Sequence, residues 1–247
     1  AQTGVELYGD VRLSGLGSFE YRLYGGTLSG PPPLPPPPGI VISDAHIAYV
    51  YGGRGLWSTP LEGLLGGLSY QALRLDGAYD FDPTVRGVLE AVELVPPGLS
   101  YPTTVKFSVR RWVASLQYAA HDLELSAEYS RWTGEFYSRM PALLPPHIVN
   151  ERYYLMASYR VSSWFTPGVY YSALFDDVEE RKRRGGFQHD AAFTVRYDLN
   201  QHWLLKLEGH VIHGTAALDN RALNDGLDRD QLPQTWGVFL IKTTAYF

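Results

Sequence analysis

The chain has 247 residues, of which 45% are hydrophobic and 19% charged, with a formal net charge of −5 and no cysteine. A charged fraction below the ~25% of ordinary soluble domains excludes a disordered chain, the acidic balance argues against nucleic acid, and the missing thiols exclude a disulfide scaffold, a cysteine nucleophile and a thiolate zinc site. No apolar run reaches the ~18 residues of a spanning helix, so any membrane role falls to β-strands.

Period-two alternation runs through most of the chain, in stretches near the ~9–11 residues that a tilted strand needs to cross a bilayer. At the start, Val5, Leu7, Val11 and Leu13 oppose Glu6, Tyr8, Asp10 and Arg12, and Phe19, Tyr21 and Leu23 oppose Glu20 and Arg22. The spacing predicts eleven strands, near 4–15, 19–28, 40–51, 63–81, 103–120, 123–139, 150–163, 165–176, 188–199, 202–217 and 235–247, in one domain spanning 1–247. Within 103–120 the parity slips between Val105, Phe107, Val109 and Trp112, Ala114, Leu116, Tyr118, with Arg110 and Arg111 at the slip. A β-bulge there restores the facing.

Farther on, Leu123, Leu125, Ala127 and Tyr129 oppose Glu124, Ser126 and Glu128. Tyr153, Leu155, Ala157, Tyr159 and Val161 oppose Arg152, Tyr154, Ser158 and Arg160. Ala191, Phe193, Val195, Tyr197 and Leu199 oppose Thr194, Arg196 and Asp198. The clearest stretch places Trp203, Leu205, Leu207 and Val211 on one face and Lys206, Glu208 and His210 on the other. Tight turns are expected at 120–122, 162–164 and 200–202, and long loops at 29–39 (a stiff, proline-rich connection), 140–149, 177–187 and 218–234.

Alternation alone does not say whether the apolar face points in or out. Three features favour outward: strands about twice the ~5–6 residues of soluble sheets, aromatic residues near strand ends (Tyr129, Tyr159, Trp164, Phe165, Tyr197, Trp203, Trp236, Phe247), and regular alternation of short and long connections. The last strand ends Trp236-Gly-Val-Phe-Leu-Ile-Lys-Thr-Thr-Ala-Tyr-Phe247. With this terminus the sequence resembles Gram-negative outer-membrane β-barrels of the porin-like kind. The resemblance implies a transmembrane antiparallel up-and-down barrel in the bacterial outer membrane. It also implies that Phe239, Ile241 and Phe247 form the signal read by the barrel-assembly machinery, with outer-membrane lipid and lipopolysaccharide as surroundings.

On this facing, the candidate pore-lining residues are Arg12, Arg22, Arg111, Glu124, Glu128, Arg152, Arg160, Arg196, Asp198, Lys206, Glu208, His210 and Lys242, joined by Glu6, Asp10 and Glu20. Basic and acidic groups nearly balance. Two arrangements are open: solvated charges lining a water-filled pore, or a salt-bridge network closing a narrow barrel. The function expected is passive diffusion of small hydrophilic solutes or ions, with a closed barrel anchoring a partner protein as the alternative. No cofactor and no catalytic centre is expected. Asp44 and His46 share a face, but no second catalytic group is in reach, and the aspartates of 219–230 lack calcium-loop spacing.

An odd strand count conflicts with the even number of complete bacterial barrels. A twelfth strand within Thr84–Val95 is one resolution. The other is that N-terminal strands of a larger barrel, ~16 in total, are missing or supplied by another chain.

Overall fold

The computed structural model describes residues 2–29, 40–95, 97, 103–138, 147–218, 224 and 226–246. The strands are β1 (Gln2–Leu13), β2 (Gly17–Ser29), β3 (Ile40–Ser58), β4 (Leu64–Phe81), β5 (Thr103–Ala120), β6 (Leu123–Ser138), β7 (His147–Tyr159), β8 (Phe165–Phe175), β9 (Phe187–Asn200), β10 (Trp203–Gly214) and β11 (Thr235–Ala245). They form one antiparallel sheet in which each strand pairs with its sequence neighbours. This is the wall of an up-and-down β-barrel, and every expected strand is present. The polyproline stretch 30–39 and Phe247 lie outside the described residues.

Turn chemistry builds one end of this wall. His121 and Asp122 both take positive φ, 55° and 61°, the backbone of the primed hairpin turn whose twist matches that of the flanking strands. Asn200 accepts a hydrogen bond from the His202 amide at 2.8 Å, closing the β9–β10 turn through its side chain. At the β1–β2 turn, Gly17 has φ +89° and a Cβ there would collide with the Ser58 carbonyl, so the site requires glycine. The remaining tight connections, 59–63 and 160–164, lie at this same end. The long connections all lie at the other.

Register rows run obliquely across the sheet. Following pairs from strand to strand, Arg12, near the tight-turn end of β1, is level with His210, near the long-connection end of β10. Such stagger is what tilts strands in a barrel wall.

One open alternative falls and one expectation is corrected. Residues within Thr84–Val95 form no twelfth strand: Pro83–Ala91 is a helix, α1. Asp82 caps it, accepting from the Thr84 and Val85 amides at 2.9 Å, and Pro83 supplies the first-turn φ. Val85 and Leu89, one turn apart, pack on Phe81, Val95 and Tyr79. The correction is in β5, which pairs with β4 and β6 without a register shift. The bulges are elsewhere, chiefly in β3 between Ile42 and Asp44 and between Ile47 and Tyr49.

Candidate pore-lining face

Cross-strand register sorts the side chains into two faces. Leu7 pairs with Leu23, Leu68 with Ala114, Leu116 with Ala127, Val169 with Phe193 and Leu207 with Ile241. Large apolar groups of this face stand open, with Leu68 at 62%, Phe193 at 57% and Ile241 at 66% exposure. A contiguous exposed apolar band of this size requires a nonaqueous partner. Two glycines in it are covered by aromatic neighbours: a Cβ on Gly9 would meet the Tyr21 ring and one on Gly55 the Phe19 ring.

The opposite face is concave. Glu124 of β6, Arg196 of β9, Lys206 of β10 and Lys242 of β11 line one cavity of about 670 Å³ near the tight turns, together with Arg160 just past β7. A second cavity, of about 400 Å³, gathers Arg22, Arg54, Arg111, Glu128, Tyr24 and Gln71. All of the candidate pore-lining residues share this face by register, as do Glu6, Asp10 and Glu20. Two groups missed in the sequence join them. Arg54 was missed because β3 continues through Gly52, Gly53 and Gly55 to Ser58, and Asp190 although its parity with Arg196 was visible.

Charges on this face are mostly paired. Arg22 and Arg54 sit directly opposite each other, a repulsive placement relieved by Glu6 at 3.3 Å from Arg22 and Glu20 at 2.8 Å from Arg54. Arg196 binds Asp198 at 2.6 Å, and Lys206 binds Glu208. His210 lies between Asp190, at 3.0 Å, and Glu208, at 3.5 Å. Arg152 donates to Asn150 at 3.3 Å and Gln71 to the Tyr24 hydroxyl at 2.9 Å. Among the described residues Arg111, Arg160, Lys242, Glu124 and Glu128 make no ion pair.

Above this charged zone, toward the long connections, both faces exchange character. On the concave side the lining becomes Ile47, Val50, Leu73, Leu75, Val105, Phe107, Val109 and Phe136, with Phe107 and Phe136 stacked at 4.1 Å. On the convex side it becomes Arg74 with Asp76 at 2.6 Å, Arg110 with Glu135 at 3.6 Å, and His46 with Asp44 at 3.4 Å. The parity slip in β5 is therefore an exchange of polarity between the two faces of an unbroken strand. Aromatic contacts mark the crossing on the convex face, with Tyr51 to Tyr70 at 6.4 Å, Trp112 to Tyr129 at 4.8 Å, Tyr153 to Tyr171 at 6.3 Å and Tyr171 to His189 at 6.2 Å. At the tight-turn end Trp164 stacks on Tyr197 at 6.1 Å, with Phe165 beside it. Trp236, expected in a girdle, instead shares the register row of Ile212 and Asp190 on the concave face and donates to the Gly214 carbonyl at 3.0 Å.

The charged stretch 176–184 is tied down. Asp176 accepts from Arg183 at 2.6 Å and from Arg229 of the next long connection, while Arg181 pairs with Glu151 of β7. Asp176→Ala takes the carboxylate partner from part-buried Arg229 while Arg183 keeps Glu180 at 3.1 Å, a cost of about 1–3 kcal/mol. Limited proteolysis is expected to cut 177–186 and 226–234 about tenfold faster in this variant while the strands remain intact. Unchanged cleavage would show that these loops are held by other contacts.

No protein-family model matches the chain, and no curated protein matches it. Ten chains of solved structures do. One is the crystal structure of a Pseudomonas aeruginosa FadL homologue, which matches at 13% identity and a TM-score of 0.43 over 98% of this chain and 65% of that one. The present chain thus spans less than two thirds of that protein's length.

Proposed function

We propose that the chain forms the wall of a bacterial outer-membrane channel through which small polar solutes or ions diffuse passively. One observation carries this reading: the charged concave face lies on the same strands whose convex face is an exposed apolar band bounded by aromatic rows. Ionised groups in a membrane protein need water or partners, and those of Arg111, Arg160 and Lys242 have no ionic partner among the described residues. On this reading the convex face meets outer-membrane lipid and lipopolysaccharide, and exposed Phe239 and Ile241 of β11 are presented to the assembly machinery.

Single-channel recording in a planar bilayer tests it. Ion-permeable openings are expected, with a reversal potential close to zero under a salt gradient because basic and acidic groups nearly balance. A strong preference for anions would place the constriction at Arg160 and Lys242. A complete lack of conductance would overturn the channel and favour a closed barrel that anchors a partner.

The apolar lining of Ile47, Leu75, Phe107 and Phe136 favours a second reading, in which solutes that carry an apolar part are taken up first at the long-connection end. Block of the current by straight-chain alcohols should then tighten about fourfold per added methylene, the equivalent of about 0.8 kcal/mol. Block independent of chain length would remove this reading and leave the first.

A further inference from the structure

The geometry points to a phosphate subsite on the concave face, in the cavity of about 400 Å³ bordered by Arg22, Arg54, Arg111 and Glu128. The subsite names one solute for the channel and rests on the reading of this face as the channel lining.

Register brings these groups together from separate strands. Arg22 of β2 stands opposite Arg54 of β3, and in the next row Gly52 of β3 lies between Tyr24 of β2 and Gln71 of β4. A Cβ at Gly52 would meet the Tyr24 hydroxyl. With no side chain there, Tyr24 crosses β3, and its oxygen accepts from the Gln71 amide at 2.9 Å. Arg111 of β5 continues this row beside Gln71. Glu128 of β6 enters from nearer the tight turns, where it pairs with Ser115 of β5.

The donors converge on a place with little negative charge of its own. Glu6 holds Arg22 through Nε and Glu20 holds Arg54 through one terminal nitrogen, but neither carboxylate borders the cavity. Among the described residues the other side-chain nitrogens of Arg22 and Arg54, and all those of Arg111, have no hydrogen-bond partner. The Tyr24 oxygen already accepts, so its own hydrogen remains to be given. Guanidinium groups gathered on one depression repel one another. An anion with several oxygens removes that repulsion and takes charge-assisted hydrogen bonds from more than one of them.

Glu128 decides which anion. It borders the same cavity, makes no ion pair among the described residues, and as a carboxylate can only accept. An anion without a proton to offer is repelled there. At neutral pH phosphate keeps at least one O–H, which donates to Glu128 while the other oxygens accept from the guanidinium groups. Sulfate has the same shape and no O–H, so it leaves the carboxylate unpaired against a negative charge.

Equilibrium dialysis of labelled inorganic phosphate against the protein, purified from its membrane in detergent, tests the subsite without requiring an open pore. Saturable binding is expected, with sulfate competing at least about tenfold more weakly. Arg111→Gln should weaken phosphate binding about tenfold or more. Arg110→Gln, one residue away and paired with Glu135 on the convex face, should leave it unchanged. Glu128→Gln should erase most of the preference for phosphate over sulfate, because an amide can donate to either. Heat-modifiable mobility on a gel shows that each variant is folded. Absence of saturable binding, equal losses in the two arginine variants, or a phosphate-to-sulfate ratio untouched by Glu128→Gln would each overturn the inference. Chloride conductance in a planar bilayer reports on the channel separately. Openings without phosphate binding remove the subsite alone, whereas phosphate binding without openings supports the subsite and removes the channel.

Discussion

Leu207→Arg is expected to abolish most assembly into lipid, whereas Glu208→Arg, one residue away, leaves it nearly intact. Leu207 lies among Val195 and Ile241 on the convex face. An arginine at a lipid-facing midplane position costs about 2–4 kcal/mol, equivalent to a factor of roughly 30 to 900 in the folded-to-unfolded ratio. Glu208 lies on the charged concave side, where its replacement sacrifices partly exposed pairs with Lys206 and His210 and costs about 1 kcal/mol or less. The measurement is the fraction of heat-modifiable species on a gel after refolding into vesicles. Equal losses for the two variants would mean that the facing is inverted.

Thiol reactivity should report the level at which the wall leaves the membrane. Lys106 and Leu116 lie on the same strand and the same convex face, Lys106 level with Asp76 and Tyr137, Leu116 with Gly66 and Ala127. Lys106→Cys is expected to react with a charged, membrane-impermeant maleimide at least about tenfold faster than Leu116→Cys in intact vesicles, because the thiolate that attacks does not form in hydrocarbon. The exposure of Leu116 is already 53%, so slow labelling can come only from lipid covering it. Equal rates would show that the apolar band is wet and would sink the membrane reading.

Much of this wall was legible in the sequence, since period-two alternation fixes which residues share a face without reference to anything distant. Lys206, Glu208 and His210 on one side and Leu205, Leu207 and Val211 on the other need only the pleat. The alternation of tight and long connections was equally readable, carried by His121-Asp122 and Asn200. Helix α1 was legible too: Asp82-Pro83-Thr84 is a helix start, and Val85 and Leu89 have helical spacing.

What the tertiary structure alone decided was the level at which each strand exchanges the polarity of its faces, and who stands opposite whom. A strand that passes from lipid into water exchanges the polarity of its two faces, and on paper this is indistinguishable from a one-residue bulge; only the unbroken register of β5 against β4 and β6 tells them apart. The relief of Arg54 by Glu20 joins residues 34 positions apart, and the tie between Asp176 and Arg229 spans 53. Local periodicity carries no information on such partners, because they are set by the stagger of neighbouring strands and the curl of the whole sheet.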